Sequence, residues 1–414
     1  MSTHLPVVIV GAGHAGVQAA ASLRRRGWDA GIVLLDAQSG VPYERPPLSK
    51  ELLKGESSER VPLRKPAFFE SNDIDLRTDV TVSGIDPAAL RVHLGDGTAI
   101  EASAIVLATG AKPRPFAVPG ADLPGVLQLR THDDLLALRA RIHPGVRLAI
   151  IGAGYIGMEV ASSARALGAE VQVLEFMDRV MSRVTSPEVS AAMTELHEQA
   201  GVRFAFGVAA SEITQTASGA LTILAADGRS FEADLVLAGV GILPNDDLAL
   251  AAGLEVCDGI LVDERGQTSA PGVYAIGDVA QWPTGVEGQT RRLECIANAT
   301  GQADIAAAAI VAHELPELEV PWFWTVQHGV RLQTAGLWHP EDERVLRGDP
   351  ATGSYSIAYL RDGVLAAIDT VNALGDFTHG KRLIQTRTSV DVQVLTDVTK
   401  KLSAAARDAS VPVH

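Results

Sequence analysis

Runs of four or five mostly apolar residues, each stopped by glycine or a carboxylate, punctuate this chain. Val7-Val8-Ile9-Val10 stops at Gly11, and Ile32-Val33-Leu34-Leu35 stops at Asp36. Leu148-Ala149-Ile150-Ile151 stops at Gly152, and Val171-Gln172-Val173-Leu174 stops at Glu175. Ala104 to Ala108 ends at Thr109-Gly110, Leu235 to Ala238 at Gly239, and Val273 to Ile276 at Gly277-Asp278. Short apolar runs between turn signals are how parallel strands buried on both faces read. Helical stretches are expected from Ala15 to about Arg26 and, rich in alanine, from about Ile296 to Glu314. Beyond Pro321 the pattern changes to the aromatics Trp322, Phe323 and Trp324, then short strands such as Val364 to Ile368. The fold class is therefore α/β, with two Rossmann-like units and a C-terminal α+β module. The expected division is residues 1–113 with 246–320, then 114–245, then 321–414.

The glycines give the two units their chemistry. Gly11-Ala12-Gly13-His14-Ala15-Gly16 and Gly152-Ala153-Gly154-Tyr155-Ile156-Gly157 are two copies of G-x-G-x-x-G, each between a strand and a helix. In such a turn the first glycine permits the tight bend. The second lets backbone approach a pyrophosphate, and the third lets helix and strand pack closely. The helix N-terminus then offers free N–H groups and a positive dipole to the phosphates. Each copy has an acidic partner about 20 residues on, where a ribose-binding carboxylate belongs: Asp36 for the first and Glu175 for the second. Two fingerprints with two acids imply two dinucleotides on one chain.

Composition narrows the field. A chain of 414 residues, 47% apolar, can build two or three cored domains. A formal net charge of −15 argues against nucleic acid and against an anionic membrane surface. No long uncharged apolar stretch spans a membrane, and the first strand starts at once, so a cytoplasmic protein is expected. Cys257 and Cys295 make no C-x-x-C, and the eleven histidines show no metal spacing, so no metal site is expected. Val41 to Lys50 carries three prolines, which forbid regular helix or central strand. A rigid loop bearing Arg45 and Lys50 reads as a binding segment.

The segments Pro42-Tyr43-Glu44-Arg45-Pro46-Pro47-Leu48-Ser49-Lys50, Gly154-Tyr155-Ile156-Gly157-Met158-Glu159 and Ala275-Ile276-Gly277-Asp278 carry a resemblance, with Trp322-Phe323-Trp324 plus Gln327 and Asp369-Thr370-Val371-Asn372. In this order they resemble the two-dinucleotide flavoproteins of the pyridine-nucleotide oxidoreductase family, end to end. Within it they are similar to the NADH-dependent ferredoxin reductases that serve bacterial oxygenases. The resemblance implies non-covalent FAD on the first fingerprint and NADH on the second. For FAD it implies Gly11, Gly13, Ala15, Gly16, Asp36, Arg45, Lys50, Thr109, Gly110, Arg130, Gly277, Asp278 and Trp324, with Val82 and Ile296 through backbone groups. For NAD it implies Gly152, Gly154, Tyr155, Ile156, Gly157, Glu159, Glu175 and Gly241. Two departures stand out: relatives carry the FAD-side acid where this chain has Ala37 or Gln38, and an aspartate where it has Val326.

Lys50 and Glu159 are the candidate catalytic pair. In the family the lysine lies near flavin N5 and pairs with the glutamate; the alternative is a purely structural ion pair. Glu175 favours NADH, because a carboxylate binds the ribose 2′-hydroxyl and repels a 2′-phosphate. Arg179 and Arg183 follow it, either folded back toward a phosphate or on a solvated face. Disulfide reductases of this superfamily pass electrons through a cysteine pair, which is missing here, and His14 lacks the cysteine that would make it catalytic. Electrons must therefore leave the chain, and the expected acceptor is a 2Fe–2S ferredoxin, with monomer and dimer both open. Alternatives are an NADH-regulated interaction flavoprotein like apoptosis-inducing factor, or a reductase of rubredoxin or small molecules. An acidic ferredoxin meeting an acidic chain needs a local basic face, for which Arg291, Arg292, Lys381, Arg382 and Arg387 are candidates.

Overall fold

The computed structural model describes residues 5–57, 59–284 and 289–407. They form two compact units. One holds Met1–Glu44, Arg60–Lys112 and Ile242–Pro321; the other holds Arg45–Glu59, Pro113–Gly241 and Trp322–His414. Among the described residues no helix is long and apolar enough to cross a membrane.

The first unit is built on a parallel sheet in the order Val273–Ala275, Ala104–Leu107, Val7–Val10, Ile32–Leu35, Ile74–Arg77. All residues of Val7–Val10, Ile32–Leu35 and Ala104–Leu107 are buried, which is why these runs contain no polar residue. Helix His14–Arg25 packs beside helix Ile296–Ile310. Ala299, Ala303, Ala306 and Ala307 are buried on the second helix, whose small side chains permit a close approach. Gln18 and Arg25 reach across to Asp304 at 3.0 and 2.9 Å. The alanine-rich helix stops short of the expected Glu314. Ala312 adopts φ 55°, its N–H bonds Ala309 O, and His313 N–H bonds Ala308 O. Those paired bonds satisfy the last carbonyls and end the helix.

The second unit repeats the plan. Its parallel sheet runs Arg203–Phe206, Glu170–Glu175, Arg147–Ile151, Leu235–Ala238, Val126–Leu127. In both sheets the fingerprint strand is central, the next strand lies on one side, and a strand arriving later lies on the other. That reversal opens a crevice at the carboxyl ends of the strands, where doubly wound folds bind ligands. Each unit also carries a three-stranded antiparallel sheet, Val82–Asp86, Arg91–Leu94 and Ala99–Glu101 in the first, Ala210–Gln215, Leu221–Ala225 and Ser230–Ala233 in the second.

Still within the second unit, Trp322–Gln327, Val330–Gly336, Val364–Val371, Ser354–Arg361 and Glu343–Asp349 form an antiparallel sheet in that order. Helix Leu374–Gln385 lies so close that a Cβ on Gly380 would come within 2.9 Å of Ile368. Strand Val364–Val371 outruns the apolar run that announces it, because its polar end is satisfied internally. Tyr359 donates to Asp369 at 2.6 Å, and Thr370 Oγ1 donates to Gln333 O at 3.2 Å. The proline segment keeps one turn of 3₁₀ helix, Pro46–Ser49, whose prolines sit at the start, where no N–H is needed.

Candidate active site

The two fingerprint turns are near copies in geometry. Gly11 and Gly152 have φ of 107° and 102°, and Gly11 N–H and Gly152 N–H bond Leu35 O and Leu174 O, each at 2.8 Å. A Cβ on Gly16 or Gly157 would be driven into the carbonyl of Gly11 or Gly152. Gly13 and Gly154 are different. They cap their helices at φ −74° and −75°, and a Cβ on either would meet nothing within 4 Å. Open space in front of a helix N-terminus is what a pyrophosphate needs, so both turns fit a dinucleotide.

Around the first turn, the first unit assembles its other candidates. A Cβ on Gly277 would lie 2.9 Å from that of Ala15, and Gly277 N–H donates to Gln302 Oε1 at 2.7 Å. Asp278 is thereby carried to the start of helix His14–Arg25, on the short turn Gly277–Val279. Thr109 Oγ1 donates to Asn245 O at 2.7 Å, while Asn245 Nδ2 returns a bond to Thr109 O at 2.8 Å. Asn245 N–H also holds Gly110 O at 2.9 Å. Sequence reasoning singled out neither Asn245 nor Gln302, since each acts only through tertiary approach. Asp36 ends its strand and accepts Gln38 N–H at 3.1 Å; Gln38 accepts the Tyr43 hydroxyl at 2.8 Å. Val82 and Ile296 open a strand and the alanine-rich helix.

In the second turn, Glu175 holds the fingerprint itself. Its Oε2 accepts Ala153 N–H at 2.6 Å and its Oε1 accepts Met177 N–H at 2.8 Å. Arg179 is committed to Thr185 O and Ser182 O at 2.9 and 2.7 Å, so it neither reaches toward a phosphate nor floats on a solvated face. Arg183 is exposed. A Cβ on Gly241 would find only Arg183 and Arg114 nearby, at 3.6 and 4.0 Å. Tyr155 lies against Phe323 with ring centroids 4.0 Å apart, while Ile156 is exposed.

The candidate catalytic pair forms in the second unit. Lys50 Nζ is 2.6 Å from Glu159 Oε2, with side chains 11% and 4% exposed. Ser49 Oγ also donates to Oε2, and Thr325 Oγ1 donates to Oε1 at 2.7 Å. Lys50 further donates to Pro46 O at 3.2 Å, and Ser163 Oγ holds Ser49 O at 2.7 Å. The carboxylate is thus turned by three donors, and only Lys50 carries charge. Arg45 Nη1 donates to Arg130 O at 3.0 Å, beside the cap of helix His132–Arg139. Trp324 is half-buried, its ring 5.5 Å from that of Trp322.

Among the described residues, no group of three or more His, Cys, Asp and Glu is placed to hold a metal. Arg292 corrects the expected basic face. Its side chain is 7% exposed and bridges Asp258 and Glu294 at 3.2 and 2.6 Å. Arg291, Arg382 and Arg387 are exposed, whereas Lys381 lies over the Trp322 ring at 5.0 Å.

Two doubly wound sheets, each with a glycine fingerprint at its switch point, followed by a five-stranded C-terminal sheet, define a two-dinucleotide reductase. The chain belongs to the pyridine nucleotide-disulphide oxidoreductase family, whose model matches residues 5–303, and a reductase C-terminal model matches residues 322–406. It is 39% identical over 409 residues to the 5,5'-dehydrodivanillate O-demethylase ferredoxin reductase subunit of a Sphingobium species, covering 97% of this chain and 99% of that one. It is 38% identical over 408 residues to the benzene 1,2-dioxygenase system ferredoxin--NAD(+) reductase subunit of Pseudomonas putida, covering 98% of each. The solved covalent putidaredoxin reductase–putidaredoxin complex contains a chain of similar structure. Its TM-score is 0.92 at 36% identity, over 98% of this chain and 99% of that one.

Proposed function

We propose that this protein is an NADH-dependent flavoprotein reductase that passes electrons through FAD to a 2Fe–2S ferredoxin supplying an oxygenase. What carries the reading is a likeness to ferredoxin reductases that runs through both fingerprints and the C-terminal module alike. The chain's only two cysteines, Cys257 and Cys295, form no C-x-x-C that could take electrons internally. We assign FAD to residues 1–113 with 246–320, NAD to 114–245, and the partner-facing module to 321–414.

Bound FAD supplies the chemistry that couples a two-electron hydride donor to a one-electron iron–sulfur acceptor. The chain's own residues bind and orient. Gly13 and the start of helix His14–Arg25 receive one pyrophosphate, and Asp36 and Asp278 accept hydroxyls of the same cofactor. Gly154 and its helix receive the pyrophosphate of NADH, Glu175 accepts the adenosine ribose, and Gly241 lies beside Arg114 and Arg183. Lys50 would supply a positive charge to bound flavin and Glu159 holds that charge in place; hydride transfer itself would need no side-chain acid or base. Cytoplasm is the compartment that supplies NADH to such an enzyme.

Purified holoprotein is expected to be yellow, with one FAD per chain, and anaerobic NADH should bleach it. A colourless protein that FAD cannot reconstitute would overturn the reading.

A further inference from the structure

Behind Glu159 lies a line of buried polar groups to which the reaction assigns no role. Thr325, Gln327 and His197 are fully buried. Gln327 Nε2 donates to Thr325 Oγ1 at 3.1 Å, and Thr325 donates to Glu159 Oε1. His197 Nε2 meets Gln327 Oε1 at 2.8 Å, and His328 Nε2 meets His197 Nδ1 at 3.2 Å. His197 comes from helix Pro187–Gln199; Thr325 and Gln327 come from the strand Trp322–Gln327.

Each link dictates the next. A hydroxyl has one proton, so Thr325 can donate to Glu159 only if Gln327 offers it an N–H. Gln327 does so only if its Oε1 faces His197, which requires the His197 proton on Nε2. Nδ1 is then bare and accepts from His328. Every donation runs toward Glu159, and the whole line has one other self-consistent polarity, in which every donation runs away from it. The carboxylate, an acceptor only, selects the first. Burial pushes His197 down to about 4, so the ring is neutral and its single proton reports the polarity. His328 is lowered by burial and by Arg165, and Ser162 Oγ fixes its backbone N–H at 2.7 Å.

We propose that Thr325, Gln327 and His197 are positioning residues: their one-way line of hydrogen bonds holds Glu159 Oε1 and so turns Oε2 onto Lys50. The amide in the line cannot carry a proton onward, so the line orients rather than relays. The coupling itself requires no cofactor; its bearing on the reaction rests on the role assigned above to Lys50 and Glu159.

The test is nitrogen NMR of holoprotein labelled with ¹⁵N-histidine, the His197 signals being assigned by His197→Gln. The parent should show His197 protonated on Nε2. In Glu159→Gln the new amide oxygen is claimed by Lys50 and Ser49, and its NH₂ faces Thr325. Accepting from both amides would leave the buried Thr325 proton without an acceptor, so every bond is expected to reverse and the His197 proton to move to Nδ1. Thr325→Ser should keep the parent tautomer, whereas Thr325→Val should uncouple it from residue 159. The second readout is the midpoint potential of bound FAD, which should shift in Thr325→Val and return in Thr325→Ser. His197 on Nδ1 in the parent, or unmoved by Glu159→Gln, would overturn the proposal. If the tautomer reverses as expected while Lys50→Met reduces its flavin at the parent rate, the line stands and the role given to Lys50 falls.

Discussion

Glu175 shows how much one side chain can carry. Its carboxylate accepts Ala153 N–H inside the fingerprint, so the group proposed to select the ribose also shapes the turn proposed to bind the pyrophosphate. NADH should be preferred to NADPH by about tenfold or more, a difference of about 1.4 kcal/mol. Glu175→Ala should narrow that ratio by weakening NADH, because Arg179 is committed to backbone carbonyls and cannot capture a 2′-phosphate. Steady-state kinetics with both cofactors checks this; equal use by the parent would place the selectivity elsewhere. Buried titrating groups give a second prediction. His197 is lowered to about 4, so the unfolded chain binds its proton first, and stability falls as pH drops from 6.5 toward 4. Burial raises Asp369 to about 7, so its contribution is lost as pH rises from 3.8 toward 7. The two slopes, worth roughly 3 and 4 kcal/mol at most, nearly cancel between pH 4 and 6.5. In urea titrations His197→Gln should leave stability falling with pH, and Asp369→Asn should leave it rising. A parent slope unchanged by either substitution would contradict both assignments. Lys50, Glu159 and Glu175 are legible in the sequence because motifs fix them. His197 is not, since its partner Gln327 lies 130 residues away and only tertiary packing joins them.

At the scale of elements, the two turns make the same distinction between packing and binding. A Cβ on Gly16 runs into a backbone carbonyl, while one on Gly13 enters open space at an ordinary φ. Gly16→Ala should therefore destabilise the apoprotein by about 3 kcal/mol, the upper part of the overpacking range. Gly13→Ala should change apoprotein stability by less than about 1 kcal/mol yet weaken FAD strongly. Thermal unfolding and flavin fluorescence separate the two effects. Most parallel strands could be read from the sequence because burial on both faces leaves few polar residues in them. The three-stranded sheets around Val82–Asp86 and Ala210–Gln215 are harder to read, since their half-exposed strands mix polar and apolar positions; the sequence marks them only by the hairpin turns Asp96-Gly97 and Asp227-Gly228. The alanine-rich helix was expected to run too far because alanine also served as its left-handed terminator at Ala312, where glycine is the usual signal.

For the whole molecule, charge and partner are in tension. A chain of net charge −15 would meet the proposed ferredoxin, if acidic, against long-range repulsion, and at 0.15 M salt fields reach only about 8 Å. Arg382 and Arg387 are exposed in and beyond helix Leu374–Gln385, and are the residues proposed to act at that range. Reversing both to Glu should slow ferredoxin reduction and lower its salt sensitivity while ferricyanide reduction stays near normal. Arg292→Glu should behave differently, losing two ion pairs and stability along with both activities. The central claim is the passage of electrons from NADH to a one-electron protein acceptor. Its most direct measurement is an anaerobic titration of holoprotein and excess 2Fe–2S ferredoxin with limiting NADH, following both by absorbance. Two ferredoxins should be reduced for each NADH consumed, at a rate that exceeds reduction of rubredoxin or quinone. A flavin that NADH bleaches but no 2Fe–2S ferredoxin reoxidises would contradict it.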